Sequence, residues 1–557
     1  MPQSELRFTL AQLNPTVGDL SGNAKHMLDV WKEHDHASDL VIFPELFLCG
    51  YPPEDLVLNA AFISACKDHI DDICAQSKSY VSAALIPTIW EENNKIYNAA
   101  LIIDNGEIRN IIHKHKLPNN YVFDELRTFQ SGELQKPIEF KGHQLGIMIC
   151  EDVWHIEVPQ HLKDQGADLL IAINGSPFHN YQSNERHAVA SECVQETGLD
   201  LVYLNMIGGQ DELVFDGRSF IMNREGEYIY HAPAFEGHIC NFTIHNNPET
   251  THTEFNFSTE SSQQEEQDLQ NLTYKALTLG IRDYVKKNGF SDVLIGLSGG
   301  IDSALTAALA VDALGADHVH CIMMPSKFTS NDSLEDAKAC AEFLNVAYEI
   351  IPIKNAVSVF EKTVSQLSGL AHENTQSRIR GTILMALSNA SGAMVLTTGN
   401  KSEMAVGYCT IYGDMNGGFN ALKDVYKTDV YKLATWRNEQ SPVMPERIIT
   451  KAPSAELRDN QTDQDSLPDY DLLDKMLKLL IEYDNVHWNY APKILLDIRD
   501  ECMQHPEQFD KVARLLKNSE YKRFQSAPGT RISFRAFGRD RRYPMTNHFV
   551  NNIEKKQ

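Results

Sequence analysis

Residues 292–310 read DVLIGLSGGIDSALTAALA: an apolar run, two adjacent glycines and an alanine-rich run in immediate succession. The first run reads as a strand and the last as a helix, so Gly299 and Gly300 fall at the tight turn between them, where a missing Cβ lets the backbone approach a ligand closely. Ser298 and Ser303 add hydroxyls where the first N–H groups of the helix point outward, and an anion is the expected occupant. The plainer reading of a bare SGG is an ordinary turn with a serine cap. The GxxxxGK[ST] pattern of Walker-type loops is absent from the chain. A helix around residues 268–287 precedes the loop, and HVHCIMMP (318–325), YEIIPI (348–353) and GAMVLTTGN (392–400) follow it, alternating with long helical stretches. Strands alternating with helices predict a parallel, doubly wound α/β sheet.

Toward the N-terminus the pattern changes. LRFTLAQL (6–13), DLVIFPEL (39–46), VSAALIPTI (81–89), YNAALIID (97–104), QLGIMIC (144–150), DLLIAIN (168–174) and LVYLNMIG (201–208) are short apolar runs rich in β-branched residues, with helices around 22–36 and 184–197. This predicts a sheet-rich α/β domain over residues 1–245. Residues 246–267 are polar and acidic, the composition of a solvated linker. A second domain over residues 268–557 follows, and no internal repeat joins the halves.

At 557 residues the chain is too long for one core. Its net charge of -26 argues against nucleic acid as a partner, because affinity for a phosphate backbone rests on Lys and Arg contacts. Small phosphate-bearing substrates remain open, since a local cluster of cations and N–H groups binds them inside an acidic protein. The ten cysteines, from Cys49 to Cys502, form no C-x-x-C pair, which argues against a zinc site and a disulfide framework. A reducing, cytoplasmic home is expected. MPQSELRFTL does not read as an export signal, and no run reaches membrane-spanning length.

Three segments of the first half carry candidate chemistry: FPELFLCGYPP around Glu45, HKHKLPN around Lys114 and GIMICEDVW around Cys150, each at or just beyond the end of an apolar strand. Taken alone, Cys150 reads as a packed core thiol. Together the three segments resemble the nitrilase superfamily of carbon-nitrogen hydrolases. The resemblance implies an α-β-β-α sandwich in which Cys150 attacks the amide of glutamine, Glu45 takes the thiol proton and Lys114 meets the developing oxyanion. Glu125, in VFDELR, matches a further glutamate of that superfamily. The glutamine pocket implied by the resemblance falls on Asn120, Tyr121, Glu151, Ser176 and Gln182. Here the chain departs from the pattern, with Asn120 where a tyrosine is usual and Gln182 where a lysine is usual.

In the second half, SGGIDS resembles the pyrophosphate-binding loop of the ATP pyrophosphatases. TTGNKSEMAVGYCTIYGDMNGGFNALKDVYKTDVYKLA and APSAEL resemble the synthetase domain of the NAD synthetases. That resemblance assigns ATP to Gly296, Leu297, Ser298, Gly299, Gly300, Ile301, Asp302, Ser303, Thr398, Lys427 and Ser454, and Mg²⁺ to Asp302 and Glu403. Without it, Glu403 reads as a solvated helix residue. HENTQSRIRG and EYKRFQSAPGTRISFRAFGRDRRYP resemble deamido-NAD-binding elements, with Asn374, Arg378, Glu403, Tyr521 and Lys522 at the matching positions. The plainer reading of the second segment is a solvated basic patch. The fusion implies glutamine hydrolysis in one domain and ATP-dependent amidation of deamido-NAD through an adenylate in the other, releasing AMP and pyrophosphate. It also implies a homo-oligomer. Another glutamine-dependent amidotransferase with a different acceptor is the alternative, and neither nucleic acid nor a membrane is an expected partner.

Overall fold

The computed structural model describes residues 5–246, 253–261, 268–458, 461, 464, 467–484, 491–547 and 549–550. The chain forms two compact units, residues 1–268 and 269–557.

The first unit contains β1 (Glu5–Gln12), β2 (Leu40–Ile42), β3 (Ala83–Glu92), β4 (Lys95–Asp104), β5 (Glu107–His113), β6 (Ile138–Phe140), β7 (His143–Ile149), β8 (Leu169–Asn174), β9 (Leu201–Asn205), β10 (Ile207–Gln210), β11 (Leu213–Asp216), β12 (Phe220–Met222), β13 (Tyr228–His231), β14 (His238–Asn246) and β15 (Thr253–Phe257). Seven of them form one sheet in the order β15-β14-β1-β2-β3-β4-β5, six form a second in the order β13-β12-β9-β8-β7-β6, and β10 and β11 make a separate ribbon. Its helices are α1 (Leu20–His34), α2 (Ala60–Ser77), α3 (Glu157–Asp164) and α4 (Gln182–Thr197).

The period of two along each strand explains the layers. Leu40 and Ile42 of β2, Leu145, Ile147 and Ile149 of β7, and Leu169, Ile171 and Ile173 of β8 share one core between the sheets. The intervening Val41 packs with Met27, Trp31 and Ile70 of α1 and α2. On the other side, Met148, Leu170 and Ala172 pack with Leu162, Cys193 and Val194 of α3 and α4. Both faces of these strands are therefore buried, which is why they read as unbroken apolar runs. Each buried Leu or Ile contributes roughly 1.5–3 kcal/mol. The result is the α-β-β-α sandwich that the nitrilase resemblance implies.

The acidic stretch differs from the linker expected at 246–267. Thr253–Phe257 forms β15, paired antiparallel with β14, and Phe255 and Phe257 pack against the inter-sheet core. Alternate phenylalanines in TEFNF supply an apolar face that the acidic average conceals. The remainder of the expected linker, 247–252 and 262–267, lies outside the described residues.

The second unit has β16 (Val293–Gly296), β17 (Val319–Met323), β18 (Ala347–Ile350), β19 (Met394–Thr397) and β20 (Phe419–Asn420), in the order β18-β17-β16-β19-β20 with every pair parallel. The order reverses between β16 and β19, and a crevice opens beyond the carboxyl ends of strands at such a point. Gly296 ends β16 and Thr397 ends β19, so the SGGIDS and TTGNKSE segments both leave the sheet there. The helices are α5 (Leu269–Lys287), α6 (Ile301–Leu314), α7 (Asn331–Phe343), α8 (Lys354–Thr363), α9 (Leu370–Ser391), α10 (Lys401–Val406), α11 (Lys427–Gln440), α12 (Glu446–Thr450), α13 (Tyr470–Ile481), α14 (Lys493–Met503), α15 (Pro506–Asn518) and α16 (Glu520–Arg523). Residues of α10, α13, α14 and α15, among them Met404, Leu473, Leu477, Cys502 and Val512, form a core of their own.

The basic C-terminal segment is not a solvated patch. Arg531 pairs with Asp540 at 2.6 Å and Arg541 with Glu520 at 2.7 Å, all four buried. Buried Lys401 donates to Ser533 at 2.7 Å and to the Arg535 carbonyl at 3.0 Å, and pairs with Asp424 at 2.8 Å. Asp540 and Glu520 belong to the segment itself and Asp424 lies outside it, and a net positive composition does not display such matches.

Candidate active sites

In the first unit Glu45 lies just beyond β2, Lys114 directly after β5 and Cys150 directly after β7, so the strands aim all three at one place. The Lys114 ammonium donates to Glu45 Oε1 at 2.7 Å and lies 2.8 Å from Glu125 Oε2, with Lys114 and Glu45 fully buried. Asn98 donates to Glu45 Oε1 at 2.8 Å, the Gly175 N–H donates to Glu45 Oε2 at 2.8 Å, and the Tyr51 hydroxyl donates to Glu125 at 2.9 Å. A Cβ on Gly175 would come within 2.8 Å of the Tyr51 ring and 3.1 Å of the Glu45 carboxylate, so the close approach requires glycine.

Cys150 has φ 48, a left-handed conformation unusual for a non-glycine residue, at the sharp turn where β7 ends. Burial pushes its thiol well up, and the Glu45 charge pushes it further while Lys114 opposes them. The resting sulfur is therefore protonated and needs a base. Burial works to lower the Lys114 ammonium, but Glu125 and Glu45 outweigh it and hold it well above its ordinary value. Burial pushes Glu125 up to about 7, against the pull of Lys114.

The expected glutamine-pocket residues separate into two groups. Gln182 donates to Ser176 Oγ at 3.3 Å, both buried. Arg186, one turn further along α4, donates to the same hydroxyl at 3.2 Å and pairs with Asp216 at 2.8 Å. Asn120 and Tyr121 lie instead on an exposed turn, Tyr121 at φ 51. Glu151 pairs with His155 at 3.2 Å.

In the second unit Gly299 has φ 81, and a Cβ there would lie 2.3 Å from the Ser333 carbonyl, so glycine is obligatory. Ser298 and Ser303 hydrogen-bond each other at 3.0 Å beneath the start of α6. Gly296 to Ser303, Thr398, Glu403, Lys427 and Ser454 all line one cavity of about 290 Å³. The Lys427 ammonium donates to Asp302 and, at 3.4 Å, to Glu403, and Asn400 donates to Asp302 at 2.9 Å while capping the helix that carries Glu403. Asn374 accepts from Thr410 at 3.0 Å, Arg378 donates to the Ile411 carbonyl at 3.2 Å, and Lys522 donates to the Gly407 and Cys409 carbonyls at 2.8 Å each. The two segments matched to deamido-NAD thus meet on residues 407–411, and Tyr521 beside them is exposed.

Residues 7–247 match the carbon-nitrogen hydrolase family and residues 273–526 the NAD synthase family. The glutamine-dependent NAD(+) synthetase of Rhodobacter capsulatus is 44% identical over 558 residues, covering 98% of each chain, and that of Aquifex aeolicus (strain VF5) is 42% identical, covering 98% of this chain and 100% of its own. The chain belongs to the glutamine-dependent NAD(+) synthetases. The solved structure of the Acinetobacter baumannii member, in complex with adenosine diphosphate, is 39% identical with a TM-score of 0.76, over 98% of this chain and 100% of that one. As a glutamine-dependent NAD(+) synthetase, this chain is an ATP-dependent carbon-nitrogen ligase with a glutaminase and an NAD synthase domain.

Several site residues of this NAD(+) synthetase are not evident from the sequence. Buried Asp152 accepts from the backbone N–H groups of Ile149 at 3.0 Å, Lys116 at 2.8 Å and His115 at 3.1 Å, clamping the Cys150 turn to the chain that follows Lys114. Its place two residues after Cys150 is the signal that could have found it. Arg186 had a comparable signal, four residues after Gln182 on a helix. Asn98, Tyr51 and Asn400 had none, since pairing across strands and loops brings them in.

Proposed function

We propose that glutamine is hydrolysed at Cys150 in the first unit and that deamido-NAD is adenylated at the loop of residues 296–303 in the second. The convergence of Glu45, Lys114 and Cys150 at three strand ends supports the first assignment. Cys150 Sγ attacks the amide carbon as Glu45 takes its proton, and Lys114, held between Glu45 and Glu125, meets the oxyanion. Glu45 returns the proton to the departing nitrogen, and water then cleaves the thioester to glutamate. Glutamine is held from the side of Ser176 and Gln182.

In the second unit the deamido-NAD carboxylate attacks the α-phosphorus of ATP and pyrophosphate leaves; ammonia then displaces AMP from the acyl adenylate. Gly299, Gly300 and the first N–H groups of α6 receive phosphate oxygens, with Thr398, Lys427 and Ser454 around them. Asp302 and Glu403 already share one cation, the Lys427 ammonium, so their oxygens converge as a hard ion requires. Among the described residues no set of three or more metal-ligating side chains is assembled, so Mg²⁺ would be held by these two carboxylates together with phosphate oxygens. Bound there, it would neutralise charge on the leaving pyrophosphate.

Asp302→Ala tests the assignment. NAD formation should fall by roughly two orders of magnitude or more, from either nitrogen source, while glutamine hydrolysis persists. Unchanged NAD formation in the folded variant would remove Asp302 from the site.

A further inference from the structure

Arg380, on α9, lines the cavity that holds residues 296–303. Its Nε–H donates to the Met324 carbonyl, just beyond β17, at 2.9 Å, which fixes the plane of the guanidinium. The two terminal nitrogens have no hydrogen-bond partner among the described residues, and they open onto the cavity rather than being sealed in protein. The other cations lining this cavity are engaged: Lys427 with Asp302 and Glu403, and Lys451 with Ser333 at 2.7 Å and Glu456 at 3.1 Å. Burial pulls Arg380 down to about 10, and the more distant carboxylates of Glu456 and Asp414 restore only part of that. Glu456 is already satisfied by Ser330, Ser333 and Lys451, and burial pushes Asp414 up to about 6, so neither fully balances the guanidinium.

A half-buried guanidinium with four idle N–H donors in a cavity wall is placed to be completed by an anion. The two terminal nitrogens form a planar fork that fits two oxygens of one phosphate, which a point-charge ammonium does not. We propose that Arg380 binds phosphate oxygens of ATP through this fork and retains them as ATP becomes the adenylate. The inference rests on reading the cavity as the ATP site.

The test uses the full-length protein with ammonium as nitrogen donor, measuring kcat/KM for ATP and KM for deamido-NAD separately. Arg380→Ala should lower kcat/KM for ATP about ten- to a hundredfold, the worth of a lost charge-assisted bond, with the deamido-NAD KM within about threefold. Arg380→Lys should recover part of the loss, and ethylguanidinium should restore activity to the alanine variant but not to Asp302→Ala. Wild-type kcat/KM for ATP in Arg380→Ala, beside an impaired Asp302→Ala, overturns the role of Arg380 and leaves the site standing. An effect confined to the deamido-NAD KM overturns it as well. If Asp302→Ala also retains wild-type kcat/KM for ATP, the ATP site itself is misplaced and both readings fall. Should the alanine variant not fold, the lysine variant decides, because wild-type kcat/KM for ATP without the fork contradicts recognition by it.

Discussion

Asp152 carries no proton in the proposed hydrolysis, yet three backbone N–H groups depend on its carboxylate. Asp152→Ala leaves the buried Ile149 N–H and the part-buried N–H groups of His115 and Lys116 without this acceptor, at roughly 1–3 kcal/mol for each buried group that finds no substitute. Glutamine-dependent synthesis should fall sharply because the Cys150 turn loses its clamp, whereas ammonium-dependent synthesis should survive. Wild-type glutamine hydrolysis in this variant would show that the turn holds itself. Glu125 gives a pH test. Pushed up to about 7, it is neutral below that value and charged above it, so the second negative charge on Lys114 is present at high pH and lost as pH falls. The kcat/KM for glutamine hydrolysis should therefore rise with pH through about 7, and Glu125→Gln should lower the rate and abolish that limb. A rising limb unaltered by the substitution would assign it to another group. The same residues show what sequence can carry at this scale. Cys150, Lys114 and Glu45 are legible because the chemistry needs those side chains at strand ends. Asp152, Asn98 and Arg186 serve by touching groups elsewhere in the chain, and their identity alone says nothing of it.

At the scale of elements, the parallel sheet of the second unit was legible because apolar runs alternate with long helical stretches, and the sandwich core because strands buried on both faces are continuously apolar. What stayed hidden were elements whose partners are remote. β15 was concealed by acidic neighbours, and LVYLNMIG is one run in sequence but serves two sheets, as β9 and β10. The arginines of residues 531–541 resembled a basic surface because a net positive composition does not display the pairing of Arg531 with Asp540 and of Arg541 with Glu520. Lys401 tests that packing. Its ammonium, at the start of α10, ties Asp424 and Glu482 to the segment around Ser533. Lys401→Ala leaves two carboxylates buried without their cation and should destabilise the second unit by roughly 3–5 kcal/mol, read as a lowered urea midpoint. It should also weaken ammonium-dependent synthesis, since Asn400 and Glu403 are held by the same helix. A midpoint equal to that of the parent protein would mean that solvent reaches the carboxylates and replaces the lysine.

For the whole molecule, the division of labour is open to one decisive substitution, because Cys150 belongs to the first compact unit and the 296–303 loop to the second. Cys150→Ala removes the nucleophile assigned to thioester formation, so glutamine should cease to support NAD formation. The group lost is small, since hydrogen replaces a buried thiol and leaves at most a sulfur-sized void in the α-β-β-α core. Ammonium salts should then restore NAD formation to nearly the rate that they give the parent protein. The restored rate should rise with pH, since neutral ammonia, with its lone pair free, attacks the adenylate. Glutamine should still bind beside Ser176 and Gln182, and an effect of glutamine on the ammonia-dependent rate without its consumption would reveal coupling between the sites. Glutamine-supported synthesis at the parental rate would place the nucleophile at another of the ten cysteines. That outcome is disfavoured by the structure: among the cysteines, Cys150 is the one with a left-handed backbone at a strand end, and the charges of Glu45 and Lys114 bear directly on its sulfur.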